Sequence, residues 1–204
     1  MAERSVKVQE LLETIRGIEG WLTELEQIAL LHLPARVDGL PGDIVEIGSF
    51  KGKSTVALGL GCFFLSATKR KVFAIDPFGP HVDPDYPDLY YTKDPYFHIF
   101  LENVKSSGVG DIVHSIRKLS TEAYVDCPNQ IAALFIDGDH RYEGVQHDLQ
   151  FYSPKVVRGG IIACHDYGHA VFPGVKLAVD EICDHPDFEY VCDYDSLRLI
   201  RKIH

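Results

Sequence analysis

Apolar residues recur along this chain with two different periods, and the change between them lays out the elements. Val8, Leu11, Leu12, Ile15 and Ile18 fall at helical spacing and predict a first amphipathic helix. Thr23 and Glu26 form an S/T-x-x-E capping box ahead of Leu25, Ile28, Leu31 and Leu33, which predicts a second. Short apolar runs of strand length follow at 43–47, 71–75, 111–117, 131–136 and 160–164. Helical stretches at 54–66, 96–107, 121–126 and 141–152 separate them. Such alternation predicts an α/β fold, with parallel strands joined by crossover helices. A helix over 175–182 then leads to FEYVC (188–192) and SLRLIRK (196–202), read as two closing strands paired in a hairpin. The expected organisation is an N-terminal helical extension over 1–38 and one sheet domain over 39–204.

The polar residues gather where the apolar runs stop. The segment IVEIGSFKGKST, 44–55, runs from a strand through Glu46 into a turn with Gly48 and Gly52, and Ser54 and Thr55, which open a helix, join the candidate cofactor-binding residues. A bare glycine turn lets a small charged cofactor approach the backbone, and the helix start brings partial positive charge toward it. KVFAIDPF leaves Asp76 at the end of the next apolar run, 24 residues past Gly52. That is close to the roughly 20-residue gap expected of a ribose-binding carboxylate. The loop is not a phosphate loop: with Gly52-Lys53-Ser54 fixed, the first glycine of GxxxxGK[ST] would fall on Ile47. Nor is it a dinucleotide loop, because Phe50 stands where GxGxxG needs its second glycine. A carboxylate just before the turn suits a cofactor with an ammonium group and a ribose, and S-adenosylmethionine carries both.

Composition narrows the partners. A formal net charge of −10 argues against a phosphate-backbone partner, which needs clustered Lys and Arg. No apolar run reaches the roughly 18 residues of a membrane span. The N-terminal MAERSVKVQELLE lacks the apolar core of a signal peptide. Cys62, Cys127, Cys164, Cys183 and Cys192 form no CxxC pair, which fits reduced thiols in a cytoplasmic protein. A homo-oligomer is compatible with this composition.

Two further clusters lie just past apolar runs. AALFIDGDH leaves Asp137, Asp139 and His140 after one strand, and GGIIACHDYG leaves His165 and Asp166 after the next. If the two strands are neighbours, their ends lie roughly 5 Å apart, so that Asp137, His165 and Asp166 can share a divalent cation. Taken singly, Asp137 and Asp166 read better as helix caps and His165 as a turn histidine; two such clusters at consecutive strand ends favour a site. His140, which titrates near neutral pH when unperturbed, is the candidate general base. The Pro-, Asp- and Tyr-rich stretch 79–96 has no periodicity and is the expected substrate lid, with HAVFPG (169–174) as the opposite wall.

IVEIGSFKGKST, AIDPF, FIDGDHRYEGVQHDL, GGIIACHDY and FPGVKLAVDE together resemble the class I S-adenosylmethionine-dependent methyltransferases, in particular the macrocin-type sugar O-methyltransferases. The resemblance runs from about residue 20 to the C-terminus. It implies a Rossmann-like, doubly wound sheet of seven strands, six parallel and the last antiparallel. It also implies that Glu46 meets the methionine amine, that Gly48, Ser49 and Gly52 line the cofactor, that Asp76 holds the ribose hydroxyls, and that Ser120 lies near the adenine. Related metal-dependent enzymes bind a divalent ion, usually Mg, with an Asp at the place of Asp137 and an acidic or amide pair at 165–166. Here the pair is His-Asp. The implied reaction is O-methylation of a small hydroxylated acceptor such as a sugar or natural product. Two other readings compete. The histidines and carboxylates could form the facial triad of a metal-dependent hydroxylase, or the chain could bind the cofactor without catalysis.

Overall fold

A computed structural model of the protein describes residues 7–79 and 95–204, together with the backbone pairing of 81–82 with 91–92. Helix α1, Val8–Arg16, and helix α2, Glu24–Arg36, form as the spacing predicts, and the Thr23–Glu26 capping box is made in both directions. Strand β1, Asp43–Ile47, feeds helix α3, Lys53–Leu60, which ends in one π-helical turn, Gly61–Leu65. Helix α2 packs tightly against that turn. A Cβ on Gly61 would lie 2.2 Å from the Leu31 carbonyl oxygen.

Strand β2, Val72–Ile75, leads into the short antiparallel pair β3, His81–Val82, and β4, Tyr91–Thr92. The rest of the expected lid through residue 94 lies outside the described residues. Next come helix α4, Phe97–Ser106, strand β5, Val113–Ile116, and the short helix α5, Ser120–Ala123. Strand β6, Ile131–Ile136, helix α6, Tyr142–Tyr152, and strand β7, Val156–Cys164, follow. Helix α7, Pro173–Cys183, and strands β8, Phe188–Tyr194, and β9, Leu197–Lys202, complete the chain. Strand β7 starts four residues before the apolar run because it includes the polar, glycine-containing VVRG segment, beside which the register shifts between Ile131 and Ala133.

The seven-stranded sheet has the order β5-β2-β1-β6-β7-β9-β8. Pairing is parallel from β5 through β7, while β9 runs antiparallel to both β7 and β8. Six strands therefore share one direction and the last opposes them, as the resemblance implied.

Alternate residues of each strand bury on opposite faces, which is what a sheet covered on both sides requires. Ile44, Ala74, Ala133, Phe135 and Ala163 face a cluster that includes Leu11, Ile15, Leu30, Leu31 and Leu33 of the first two helices. Val45, Ile47, Leu134, Ile136 and Ile162 face Val145, Leu149, Val175 and Val179 of α6 and α7. The first two helices thus share a core with the sheet. All five cysteines are unpaired.

Candidate functional site

Strand ends at the centre of the sheet carry the polar residues. Register pairs Ile136 with Cys164 across β6 and β7, so Asp137 and His165 emerge side by side. The ladder continues past both strands, since Asp137 N–H donates to Ile47 O at 2.8 Å and His165 N–H to Ile136 O at 3.0 Å. Backbone pairing therefore fixes where these two side chains start.

The loop after β1 is built around Glu46, which is fully buried. Its Oε2 accepts the Ser49 hydroxyl at 2.9 Å and the Thr55 hydroxyl, and Ser54 also bonds the carboxylate. Oε1 is buried with no hydrogen-bond partner. Burial outweighs the three hydroxyls and pushes the Glu46 carboxyl up to about 7. An orphaned buried carboxylate oxygen at a glycine turn is a fitting site for a ligand ammonium. Ser54 and Thr55 thus act on Glu46, a role the motif alone did not reveal.

Gly48 has a φ of 87°, and a Cβ there would lie 2.0 Å from the Asp137 carbonyl oxygen. The glycine is demanded by close approach to the end of β6 as well as by the turn. Gly52, φ 90°, caps α3, and Phe50 takes a φ of 44° although it is not glycine. That strained residue is anchored: its N–H donates to Asp76 Oδ2 at 2.9 Å, and its ring packs 5.0 Å from those of Trp21 and Tyr96. Asp76 Oδ1 accepts the Phe78 N–H at 2.6 Å and the Tyr96 hydroxyl at 2.8 Å. The candidate ribose carboxylate therefore also ties the first loop to the end of β2. Ser120 begins α5, and its carbonyl accepts the Tyr152 hydroxyl at 2.6 Å.

Asp137, His140, His165 and Asp166 come together in one cluster. His140 Nε2 lies 3.1 Å from Asp166 Oδ2 and 3.9 Å from Asp137 Oδ1. His165 Nδ1 lies 3.0 Å from Asp137 Oδ1 and 3.2 Å from Asp166 Oδ2. The ligand atoms of Asp137, His140 and Asp166 all fall within 4.8 Å of one another. Asp166 reaches this position through a left-handed backbone, φ 57°. Burial works against charge on both histidines, but the facing carboxylates outweigh it. His140 rises to about 9 and His165 rises well above its ordinary value.

His140 stacks on Phe172 at 4.3 Å, which brings the 169–174 segment against this cluster. Asp139 turns away and holds Arg141. Glu26 is the residue that sequence reasoning missed here: it contacts His165 Nε2 at 3.2 Å. Its sole signal in the sequence was the capping box.

A family model described as a methyltransferase domain matches residues 45–167, from the Glu46 loop through the His165–Asp166 pair. The chain belongs to this methyltransferase family. The class I S-adenosylmethionine-dependent methyltransferase indicated by the sequence blocks is thereby borne out, and solved structures agree on the fold. The O-methyltransferase NovP superposes with a TM-score of 0.72 at 22% identity, covering 88% of this chain and 80% of its own. CalS11, a TDP-rhamnose 3'-O-methyltransferase of calicheamicin biosynthesis, gives 0.61 at 19% identity over 97% and 87%. An O-methyltransferase from Bacillus cereus in complex with SAH gives 0.64 at 12% identity over 97% and 90%. Protein R132 of Acanthamoeba polyphaga mimivirus is 36% identical over 92 residues, 40% of this chain and 42% of the viral protein. The methyltransferase matches about two fifths of that relative's length. Among its described residues no helix is long and apolar enough to cross a membrane.

Proposed function

We propose that this methyltransferase transfers the methyl group of S-adenosylmethionine to a hydroxyl of a small acceptor, such as a sugar or natural product, assisted by a divalent cation. The observation that carries the reading is the meeting of two carboxylates and two imidazoles at the ends of β6 and β7, beside the Glu46 loop. Asp137, His165 and Asp166 would hold the cation, which fits Mg or Mn through the carboxylates and tolerates one imidazole. Such an ion supplies positive charge that stabilises an acceptor alkoxide. Glu46 would take the cofactor's ammonium, with Gly48, Ser49 and Gly52 along its chain, Asp76 at the ribose and Ser120 at the adenine. His140, less than one-fifth exposed and stacked on Phe172, is held as an imidazolium by Asp137 and Asp166 in the free protein; a cation engaging those carboxylates would free its Nε2 to accept the acceptor's proton.

Calorimetry with S-adenosylhomocysteine, ATP and NAD tests the cofactor, and ATP or NAD binding more tightly would refute it. Turnover of a hydroxylated acceptor panel before and after chelation tests the cation. Full activity in the chelated enzyme removes the metal from the reading. Oxygen consumption on an iron-loaded enzyme, without a homocysteine product, would instead favour a hydroxylase.

The Glu46 carboxyl predicts a pH dependence of cofactor affinity. In the free protein it holds its proton up to about pH 7, whereas an ammonium ligand favours the carboxylate. Below that pH, binding must expel a proton, so S-adenosylhomocysteine affinity should fall by up to about tenfold per pH unit and level off above it. Glu46→Gln should weaken binding and flatten the profile. A flat profile in the unaltered protein between about pH 5.5 and 8.5 rules out the Glu46–ammonium contact.

A further inference from the structure

Glu26 does more than cap a helix. A capping box needs one acceptor oxygen near the N-cap N–H, and such boxes commonly stand at the surface. Here the carboxylate is fully buried and its two oxygens accept four donors. Oε2 takes the Thr23 N–H at 2.8 Å and faces His165 Nε2 at 3.2 Å. Oε1 takes the Ser196 N–H at 3.1 Å and the Ser196 hydroxyl at 2.7 Å. The carboxylate is thus held from the helix side and from the β8–β9 turn, with its free edge aimed at one imidazole.

That imidazole faces the catalytic cluster with its other nitrogen, Nδ1, beside Asp137 and Asp166. A carboxylate can only accept, so the Glu26 contact keeps Nε2 a donor, leaves Nδ1 as the nitrogen a cation would take, and sets the plane of the ring. Histidines that bind metal ions characteristically donate their second N–H to an oxygen acceptor, which fixes tautomer and orientation.

We propose that Glu26 is a positioning residue for methyl transfer: from the first turn of α2 it holds His165 so that Nδ1 is presented to Asp137 and Asp166. This inference rests on the cation reading above. It makes the N-terminal helical segment a working part of the centre, through a carboxylate–imidazole–carboxylate chain that crosses from α2 to β7 to β6.

Mn²⁺ alone, titrated into the full chain and followed by electron paramagnetic resonance, is the probe. Glu26→Gln should bind Mn²⁺ about 10–100-fold more weakly, while S-adenosylhomocysteine affinity stays within about twofold. Ser196→Ala strips a different bond from the same carboxylate without touching His165, so it should lower thermal stability and leave Mn²⁺ affinity unchanged. If Glu26 acts through His165, Glu26→Gln should add no further loss in a His165→Asn background. Should Glu26→Gln not fold, Glu26→Asp, which withdraws the oxygens by one methylene, takes its place with the same expected direction. Unchanged Mn²⁺ affinity, an equal loss in Ser196→Ala, or a full extra loss in the His165→Asn background each overturns the proposal while the cation reading stands. An unaltered protein that takes up no Mn²⁺ overturns both.

Discussion

Asp137→Asn is expected to lower methyl transfer by about 10²–10³-fold while S-adenosylhomocysteine affinity changes little. The carboxylate lies at the crossing of the site: 3.0 Å from His165 Nδ1, 3.9 Å from His140 Nε2, and on backbone that donates to Ile47 O. Asparagine keeps the shape and the backbone bond but loses the charge that holds both imidazoles and that a cation would need. Initial rates with an active acceptor, set beside calorimetry of the cofactor, separate the two effects. Equal turnover in the variant would show that the charge at this position takes no part in the reaction.

Gly48→Ala is expected to be the most damaging change of a single methyl group in the cofactor loop. Two costs add. The residue has a φ of 87°, and its new Cβ would meet the Asp137 carbonyl oxygen at 2.0 Å and its carbon at 2.4 Å. Backbone cannot yield as a flexible side chain can, because this stretch of Asp137 is held in the ladder. Left-handed strain and overpacking each cost about 1–3 kcal/mol, for a combined loss of about 2–6 kcal/mol. In a chain of this size that lowers the melting temperature by roughly 10 °C. The displacement falls on Asp137 itself, so activity at a permissive temperature should drop as well. A melting temperature within about 2 °C of the unaltered protein would show that the loop has room that these distances deny.

The order of elements was legible in the chain because each carries its own local signal. The Thr23–Glu26 box starts α2, and apolar runs of strand length alternate with helical periods. A parallel sheet must be buried on both faces, which writes its strands as near-continuous apolar stretches. Glu46, Asp76, Asp137, His165 and Asp166 could be singled out for the same reason: each is a polar residue placed where such a run stops. Strand ends were harder to fix, as β7 shows, because pairing with β6 extends it through VVRG, which has no apolar pattern of its own.

What the sequence by itself determined, then, is the fold class, the order of its elements and which strand ends carry chemistry, since these follow from periodicity and position along the chain. The tertiary structure alone decided who meets whom. Phe50 adopts a glycine-like backbone because Asp76 and Tyr96, distant in sequence, hold it there. Ser54 and Thr55 serve Glu46, since the first turn of α3 folds back over the end of β1. Glu26 looked like a helix cap, yet it lies against a histidine 139 positions away and a serine 170 positions away. No local pattern encodes such contacts. They arise when the sheet brings its strand ends together and α2 is packed across them by Leu30, Leu31 and Leu33.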